Sequence, residues 1–208
     1  MYSCSNRRVH RLLRRPPGFA VALVITALLA PVVPAVLVAP TAAADPRPAP
    51  TATVKPDRYA IGDSVMLGAK TPLKRRGFTV NAAVSRQAYS APAMVRRKGN
   101  ALPRNLVVHL GTNGTFPLAT CRKIVKNAGP QRKVFLVNIL VPRSWEKSNN
   151  ATIRRCARSF PDGRVTVIDW NSVGRQHPSW FYSDGTHLKS AGAKAFASLI
   201  DRAVDQAS

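Results

Sequence analysis

The sequence predicts an α/β domain in which a five-stranded parallel sheet is covered by helices on both faces. Five short runs of apolar, mostly β-branched residues alternate with amphipathic stretches. The runs are almost continuously hydrophobic, which is typical of strands that are buried on both faces of a parallel sheet. The alternation favours right-handed crossovers, which place helices on both sides of the sheet.

The predicted strands and helices follow one another along most of the chain. The strands are Arg58–Ile61, Phe78–Ala82, Leu106–Leu110, Lys133–Asn138 and Val165–Asp169. The helices have apolar residues spaced three and four apart, in a segment from Val65 to Gly77 that Pro72 kinks or restarts, and in Leu118–Ala128, Thr152–Phe160 and Lys189–Gln206. Functional residues in such folds gather at the carboxyl ends of the strands.

The first 44 residues are predicted to be a signal peptide. Five arginines between positions 7 and 15 precede an uncharged apolar stretch, and Ala42–Ala44 match the small-residue pattern of a signal peptidase site. The alternative is an uncleaved membrane anchor, because the stretch is long enough to span a bilayer. Three prolines in its C-terminal half favour cleavage, since they interrupt a continuous helix. We therefore expect a secreted, extracytoplasmic protein that begins at Asp45.

Two segments follow the predicted signal. Residues 45–57 are rich in proline, threonine and alanine and are predicted to be a linker. Residues 58–208 are predicted to form one folded domain, because about 150 residues suffice for one well-packed core.

The predicted mature chain has a large excess of positive charge. Removing the five signal arginines from 32 basic residues leaves 27 against 9 acidic residues, a formal net charge of +18. This excess favours polyanionic partners. For an exported protein, anionic wall polymers and lipid headgroups suit it better than nucleic acid, so we expect cell-wall association and no specific nucleic-acid site. Clusters such as Arg96–Lys98 are equally consistent with solvated helix ends.

Cys121 and Cys156 are the two cysteines that remain after the signal. An even pair in an oxidising compartment predicts a Cys121–Cys156 disulfide. The alternative, a reactive or metal-binding thiol, lacks C-x-x-C or clustered Cys and His spacing. We expect a structural disulfide and no metal site.

Ser64 is the first candidate functional residue, because Gly62-Asp63-Ser64 directly follows the first predicted strand. Gly62 allows a sharp turn, and Ser64 would lie at the positive end of a helix. The alternative is that Ser64 is an ordinary helix N-cap. Met66 replaces the second glycine of a G-x-S-x-G elbow, which argues against an α/β-hydrolase.

Asn113 is the second candidate, in Gly111-Thr112-Asn113-Gly114 after the third strand. An asparagine amide at a strand end can donate to a developing oxyanion, a contribution of about 3–4 kcal/mol. The alternative is a simple turn, which Asn-Gly favours.

Asp184 and His187 form the third candidate group, within the Trp180–His187 run before the last helix. Their separation across a glycine-containing turn permits a hydrogen bond. Asp184 would then hold one tautomer of His187, and His187 would take the proton of Ser64. The alternative is that Asp184 caps the last helix while His187 packs beneath it. Three other histidines are poorer bases: His10, His109 and His177.

Together the three motifs resemble the SGNH (GDSL-type) hydrolase family over about residues 58–205. Gly62-Asp63-Ser64 matches the block that carries the nucleophile, and Gly111-Thr112-Asn113 matches the block that carries the oxyanion asparagine. The run from Asp184 to His187 matches the D-x-x-H block of acid and base. Ser85 stands where the family usually has a glycine, so the resemblance implies an oxyanion hole of the Ser64 and Ser85 N–H groups and the Asn113 amide.

The resemblance also implies a fold and an activity. The fold is a flavodoxin-like three-layer α/β/α sandwich. The activity is that of a cofactor-free serine esterase or O-acyltransferase that works through an acyl-enzyme. Within the family the motifs look like those of the extracytoplasmic domains of peptidoglycan O-acetyltransferases, so we expect a monomer that acts on O-acetylated cell-wall carbohydrate.

Two other functions stay open from the sequence. One is a general carboxylesterase or lipase, and the other is a non-catalytic domain that binds polyanions through its charge. The aromatic residues Trp180, Phe181 and Tyr182 are candidates for a wall of the acyl pocket, or for ordinary packing beneath the last helix.

Overall fold

The computed structural model describes residues 58–207, in which five parallel strands form one sheet. The strands are β1 (Arg58–Gly62), β2 (Phe78–Ala82), β3 (Asn105–His109), β4 (Lys133–Val137) and β5 (Val165–Ile168). Their order across the sheet is β2-β1-β3-β4-β5, which is the flavodoxin-like order. The predicted signal peptide and linker, residues 1–57, lie outside the described residues.

Helices cover both faces of the sheet. They are α1 (Ser64–Gly68), α2 (Lys70–Lys74), α3 (Ala91–Lys98), α4 (Leu118–Ala128), α5 (Glu146–Arg158), α6 (Trp170–Arg175) and α7 (Ser190–Ala207). Helices α3 and α6 were not predicted, and α5 begins six residues before the predicted start. The first turns of α5 are polar and lack an apolar stripe, so the sequence pattern does not predict them. Asn149 and Asn150 are nevertheless buried there, and their side chains hydrogen-bond to neighbouring loops. Within residues 58–207, no helix has the length and apolar character to cross a membrane.

The first predicted helix is two short helices that meet at Ala69. Pro72 falls in the first turn of α2, where a backbone N–H has no intrahelical partner and its absence costs little. The prediction that the helix is interrupted in this segment is therefore confirmed. The restart itself lies three residues earlier, at Ala69.

Alternating strand residues point into two separate cores. Tyr59, Leu106 and Val108 pack against α3, α4 and α5, whereas Ala60 and Val107 pack against α1, α2, α6 and α7. Because both faces of each central strand are buried, the sheet is held rigidly between two apolar layers. The loops at its carboxyl edge therefore start from fixed positions.

The predicted disulfide is present and joins Cys121 in α4 to Cys156 in α5. Both side chains are fully buried within the core on that face of the sheet. The bond links two helices that are adjacent in space and separated by 35 positions in sequence.

We expect replacement of both cysteines by serine, Cys121→Ser with Cys156→Ser, to lower the free energy of unfolding by about 3–4 kcal/mol. The reason is that the unfolded chain regains the freedom of a loop of this length. Urea denaturation followed by circular dichroism measures the change. A double variant within 1 kcal/mol of the wild type, roughly the scatter of such measurements, would contradict a stabilising cross-link.

Candidate active site

The strand order places the candidate residues at one edge of the sheet. Strands β1 and β3 are neighbours, but the chain continues from β1 to β2 on one side and from β3 to β4 on the other. A crevice forms at the carboxyl ends of strands where the order reverses in this way. Ser64 follows β1 and Asn113 follows β3, so both lie at this crevice.

The turn that presents Ser64 is fixed by its two preceding residues. A Cβ at Gly62 would come within 2.3 Å of the Met66 Cβ, so only glycine fits there. Asp63 is the N-cap of α1, because its Oδ1 accepts from the Val65 N–H at 3.1 Å. The alternative in which Ser64 is the N-cap is therefore not the observed one, and the Ser64 hydroxyl is left for another contact.

The Ser64 hydroxyl contacts His187, which in turn contacts Asp184. Ser64 Oγ lies 2.9 Å from His187 Nε2, and His187 Nδ1 lies 2.6 Å from Asp184 Oδ2. These three side chains form one continuous hydrogen-bonded chain across a sequence separation of 123 positions. The geometry is that of a nucleophile, a base and a group that orients the base.

Asp184 organises its own loop as well as the imidazole ring. Its Oδ1 accepts from the backbone N–H groups of Thr186 at 2.8 Å and His187 at 2.9 Å. Gly185 has a φ of +64°, a conformation that favours glycine in this turn. Helix α7 begins only at Ser190, so Asp184 does not cap it, and His187 is exposed rather than packed beneath it.

The charge of Asp184 is stabilised by the same contacts. Partial burial raises the pKa of Asp184, but hydrogen bonds from the His187 ring and the backbone N–H groups of His187 and Thr186 lower it to about 2. An ionised Asp184 keeps the proton of neutral His187 on Nδ1. The lone pair of Nε2 then faces the Ser64 hydroxyl and can accept its proton.

Backbone hydrogen bonds close the loop that carries Asp184 and His187. Phe181 and Leu188 pair as an isolated antiparallel bridge, and the Tyr182 N–H donates to the His187 carbonyl at 2.9 Å. The Lys189 N–H donates to the Trp180 carbonyl at 2.8 Å. The backbone that carries the His187 imidazole is thus fixed by hydrogen bonds within its own loop.

Asn113 presents an unused donor at the same crevice. Its Nδ2 is buried and has no hydrogen-bond partner among the described residues. Buried donors are normally paired, so an unpaired one beside a candidate nucleophile is suited to a group that arrives with the substrate.

The turn that carries Asn113 is held by Asn149, a residue that none of the sequence motifs includes. Asn149 Nδ2 donates to the Gly111 carbonyl at 2.9 Å and the Gly114 carbonyl at 2.8 Å, and its Oδ1 accepts from the Phe116 N–H at 2.8 Å. Gly111 has a φ of +109°, which favours glycine there. The sequence analysis missed Asn149 because a polar residue in an amphipathic helix is expected on the exposed face, and no spacing pattern distinguishes a buried one.

Ser85 lies on the exposed loop after β2 and has a φ of +55°, the only positive value among the described non-glycine residues. This conformation accounts for the usual glycine at the position. Ser85 does not line the cleft that contains Ser64, so its part in an oxyanion hole stays a prediction.

The side chains of Arg86 and Gln87 form hydrogen bonds from the Ser85 loop to the ends of β1 and β3. Arg86 Nη1 donates to the carbonyls of Asn81 and, at 3.1 Å, Gly62, while Gln87 Nε2 donates to the Asn113 carbonyl at 2.6 Å. The three segments that carry the predicted oxyanion donors are therefore connected by two adjacent side chains.

The candidate residues line a cleft of about 520 Å³. Its walls include Ser64, Asn113, Asp184 and His187, and the loop residues Pro142, Arg143 and Trp145 line it as well. No three His, Cys, Asp or Glu side chains within residues 58–207 are grouped so that they could hold a metal ion.

The predicted aromatic wall does not border this cleft. Trp180 stacks on Trp170 with ring centroids 6.1 Å apart, and Phe181 is buried against the same tryptophan. Packing beneath α7 is thus the correct interpretation for these two. Tyr182 is 57% exposed and faces a neighbouring cavity.

A buried ionisable pair lies behind Ser64. Asp63 Oδ1 is 3.3 Å from His109 Nδ1, and both side chains are at most 1% exposed. The two atoms are close enough for an ion pair, but they are not aligned for a hydrogen bond. Burial raises the pKa of Asp63, but attraction to His109 and the N–H of Val65 outweigh it, so the pKa of Asp63 is lowered.

Comparison with solved structures shows which known proteins share this fold. The C-terminal catalytic domain of Streptococcus pneumoniae peptidoglycan O-acetyltransferase A (OatA), solved with a methylsulfonyl adduct, superposes with a TM-score of 0.66. It is 28% identical, and the match covers 73% of this chain and 94% of that one. A lipase/acylhydrolase from Enterococcus faecalis shares the fold with a TM-score of 0.56 at 17% identity, covering 71% and 95%. The structural neighbours of the chain are thus an SGNH-type catalytic domain of OatA and, by fold, a lipase/acylhydrolase of the GDSL type.

Comparison with curated protein sequences shows which relatives the chain resembles in sequence. Peptidoglycan O-acetyltransferase OatA of Listeria monocytogenes is 34% identical over 152 residues, and O-acetyltransferase OatA of Staphylococcus aureus is 32% identical over 150. These matches cover 71% and 70% of this chain, but the chain spans only about a quarter of the length of either relative. No protein-family model matches the chain. Its homologues are peptidoglycan O-acetyltransferases.

We expect Asp63→Asn to lower the free energy of unfolding by about 2 kcal/mol at neutral pH, because a buried charge-assisted contact is lost. The pKa of Asp63 is lower in the folded protein than its usual 3.8, so its contribution is complete above that value and disappears as the pH falls. The gap between wild type and variant should therefore narrow below about pH 4. Urea titrations across this range measure it.

Asp162→Asn is the matched control, because Asp162 is 55% exposed and pairs with Arg164 at the surface. Its removal should cost under about 1 kcal/mol. Equal effects of the two substitutions would contradict a special contribution from the buried carboxylate.

Proposed function

We propose that the protein is a serine-dependent acyl-ester enzyme, an esterase or O-acyltransferase, that acts on O-acetylated cell-wall carbohydrate through an acyl-enzyme. The observation that carries this proposal is the hydrogen-bonded chain from the Ser64 hydroxyl through His187 to the Asp184 carboxylate. A domain that only binds polyanions has no need of such a chain.

In the first half of the proposed reaction, Ser64 Oγ attacks the carbonyl carbon of the ester. His187 Nε2 takes the hydroxyl proton, and ionised Asp184 stabilises the imidazolium that forms. The carbonyl oxygen becomes an oxyanion, which accepts from the Asn113 amide and from the Ser64 N–H at the first position of α1. The Ser85 N–H is the third proposed donor. Collapse of this intermediate breaks the ester bond, and His187 returns the proton to the departing alcohol.

The second half of the reaction releases the acyl group from Ser64. A water molecule or a sugar hydroxyl attacks the acyl-enzyme, and His187 takes the proton of the attacking oxygen. The acyl–Ser64 bond breaks, and the proton returns to Ser64 Oγ. Water gives hydrolysis and a sugar hydroxyl gives transfer, and the protein's groups act in the same way in both.

Two findings support a cell-wall substrate and an extracytoplasmic location. Three of the related proteins are named as O-acetyltransferases, two of them of peptidoglycan. Residues 58–207 hold 25 basic and 7 acidic residues, an excess that attracts anionic polymers. With the signal-like first 44 residues and the disulfide, these findings favour a secreted enzyme near the wall. We propose in addition that it is a monomer.

We expect brief incubation with an activated acetyl ester to add about 42 Da to the Ser64 peptide, the mass of an acetyl group on the nucleophile. Mass spectrometry of the digested protein identifies the site. Ser64→Ala should abolish both the adduct and turnover. Turnover that persists in this variant would exclude the serine mechanism.

A series of nitrophenyl esters from acetyl to octanoyl separates an acetyl-directed enzyme from a general carboxylesterase or lipase. The proposal requires a steep preference for acetyl, measured as kcat/KM. A preference for the octanoyl ester would instead favour a lipase.

We expect Arg86→Lys to lower kcat for the acetyl ester by about 10–100-fold with little change in KM, because misplaced donors weaken binding of the transition state more than of the substrate. A lysine cannot hold the Asn81 and Gly62 carbonyls together as the guanidinium does. Steady-state kinetics with the acetyl ester determine kcat and KM separately.

Arg132→Lys is the matched control. Arg132 also binds backbone carbonyls, those of Asn100 and Leu102, but these precede β3 at the opposite edge of the sheet. Its substitution should leave kcat unchanged. Equal losses in both variants would indicate a general effect on folding instead of positioning of the Ser85 loop.

A further inference from the structure

A second cavity adjoins the cleft that contains Ser64. Its volume is about 780 Å³, larger than the cleft itself. Val141, Pro142 and Arg143 line both spaces, so a chain that lies in the cavity can continue past this shared rim to the serine. The mechanism proposed above makes no use of the cavity.

The two walls of the cavity differ in chemistry. One wall is the loop that also carries Asp184, and there Tyr182 presents a largely exposed ring. Such a ring offers apolar surface for the flat face of a sugar. The other wall is the first turn of α5 together with α6, and it carries Lys147 and Arg175.

The charges of the second wall are only partly neutralised. Arg175 pairs with Glu146, and Glu146 also accepts from the Val141 N–H at 2.7 Å. Arg143 and Lys147 are exposed, and no carboxylate of the described residues lies within ion-pair distance of either side chain. The lining of the cavity therefore includes two unpaired cations, Arg143 at the shared rim and Lys147 on α5, and the exposed ring of Tyr182.

We propose that this cavity binds the peptide-bearing part of a peptidoglycan strand next to the acetylated sugar. This inference rests on the proposed function and names the part of the substrate that binds outside the reacting ester. A neighbouring sugar lies on Tyr182, and a carboxylate of the attached peptide lies against Lys147 and Arg143. The charge and shape of the two walls complement a strand that alternates apolar sugar faces with peptide carboxylates.

The test measures binding of soluble glycan fragments in the Ser64→Ala background, which removes turnover. Two fragments are compared, one with its peptides and one from which the peptides have been removed. Lys147→Glu should weaken binding of the peptide-bearing fragment about fivefold at low salt, the effect of an exposed ion pair. High salt should abolish the difference. The peptide-free fragment should bind equally well with and without the substitution.

Arg97→Glu is the matched control for the change in charge. Arg97 is exposed in the last turn of α3, whose C-terminal end lies at the amino edge of the sheet, away from the cavity. Tyr182→Ala tests the other wall and should weaken binding of both fragments equally. A polyol-phosphate polymer is included as a second anionic ligand.

Three results would overturn the inference. The first is equal affinity of the Lys147→Glu and Arg97→Glu proteins for the peptide-bearing fragment. The second is a loss that appears with the phosphate polymer but not with the peptide-bearing fragment. The third is no binding of either fragment. Each leaves acetylation of Ser64 unaffected, so failure of this inference is distinct from failure of the proposed function.

Discussion

The reversal of strand order beside β1 is the constraint on which the site depends. The chain leaves β1 and β3 in opposite directions across the sheet, which opens a crevice between their carboxyl ends. Ser64, Asn113 and the Asp184 loop reach this crevice from segments that are distant in sequence. Because both faces of the sheet are packed, small displacements of the strand ends are resisted on either side.

Two aspartates with lowered pKa values have different parts in this arrangement. Asp63 is fully buried, and its carboxylate fixes the turn before Ser64 from within the protein. Asp184 is half exposed, and its carboxylate orients an imidazole that must gain and lose a proton. Burial opposes the charge of both, so each depends first on a histidine, His109 for Asp63 and His187 for Asp184, and then on backbone N–H donors.

The sequence was sufficient to predict the strands, because a continuous β-branched run that alternates with amphipathic segments is typical of a buried parallel strand. It also predicted the Asp184–His187 contact, since three residues across a glycine turn are close in any fold. The contact of Ser64 with His187 required the family resemblance, because it spans 123 positions.

The contacts of Asn149, Arg86 and Gln87 could not be predicted from the sequence, although Arg86 and Gln87 belong to the Ser85 motif that carries the family resemblance. Their partners are backbone carbonyls of other segments, and the positions of such carbonyls exist only in the folded sheet. Helices α3 and α6 were missed because they are short, and short helices owe their stability to packing and little to their own sequence.

The sealed position of the Cys121–Cys156 bond determines when its redox state can change. Both sulfurs lie beneath α4 and α5 with no exposed surface, so a small reductant reaches them only if these helices separate. We therefore expect the bond to exchange slowly with ambient thiols for as long as the domain stays folded. Reduction of the bond is thus coupled to opening of the core on that face of the sheet, and its rate reports how often α4 and α5 separate.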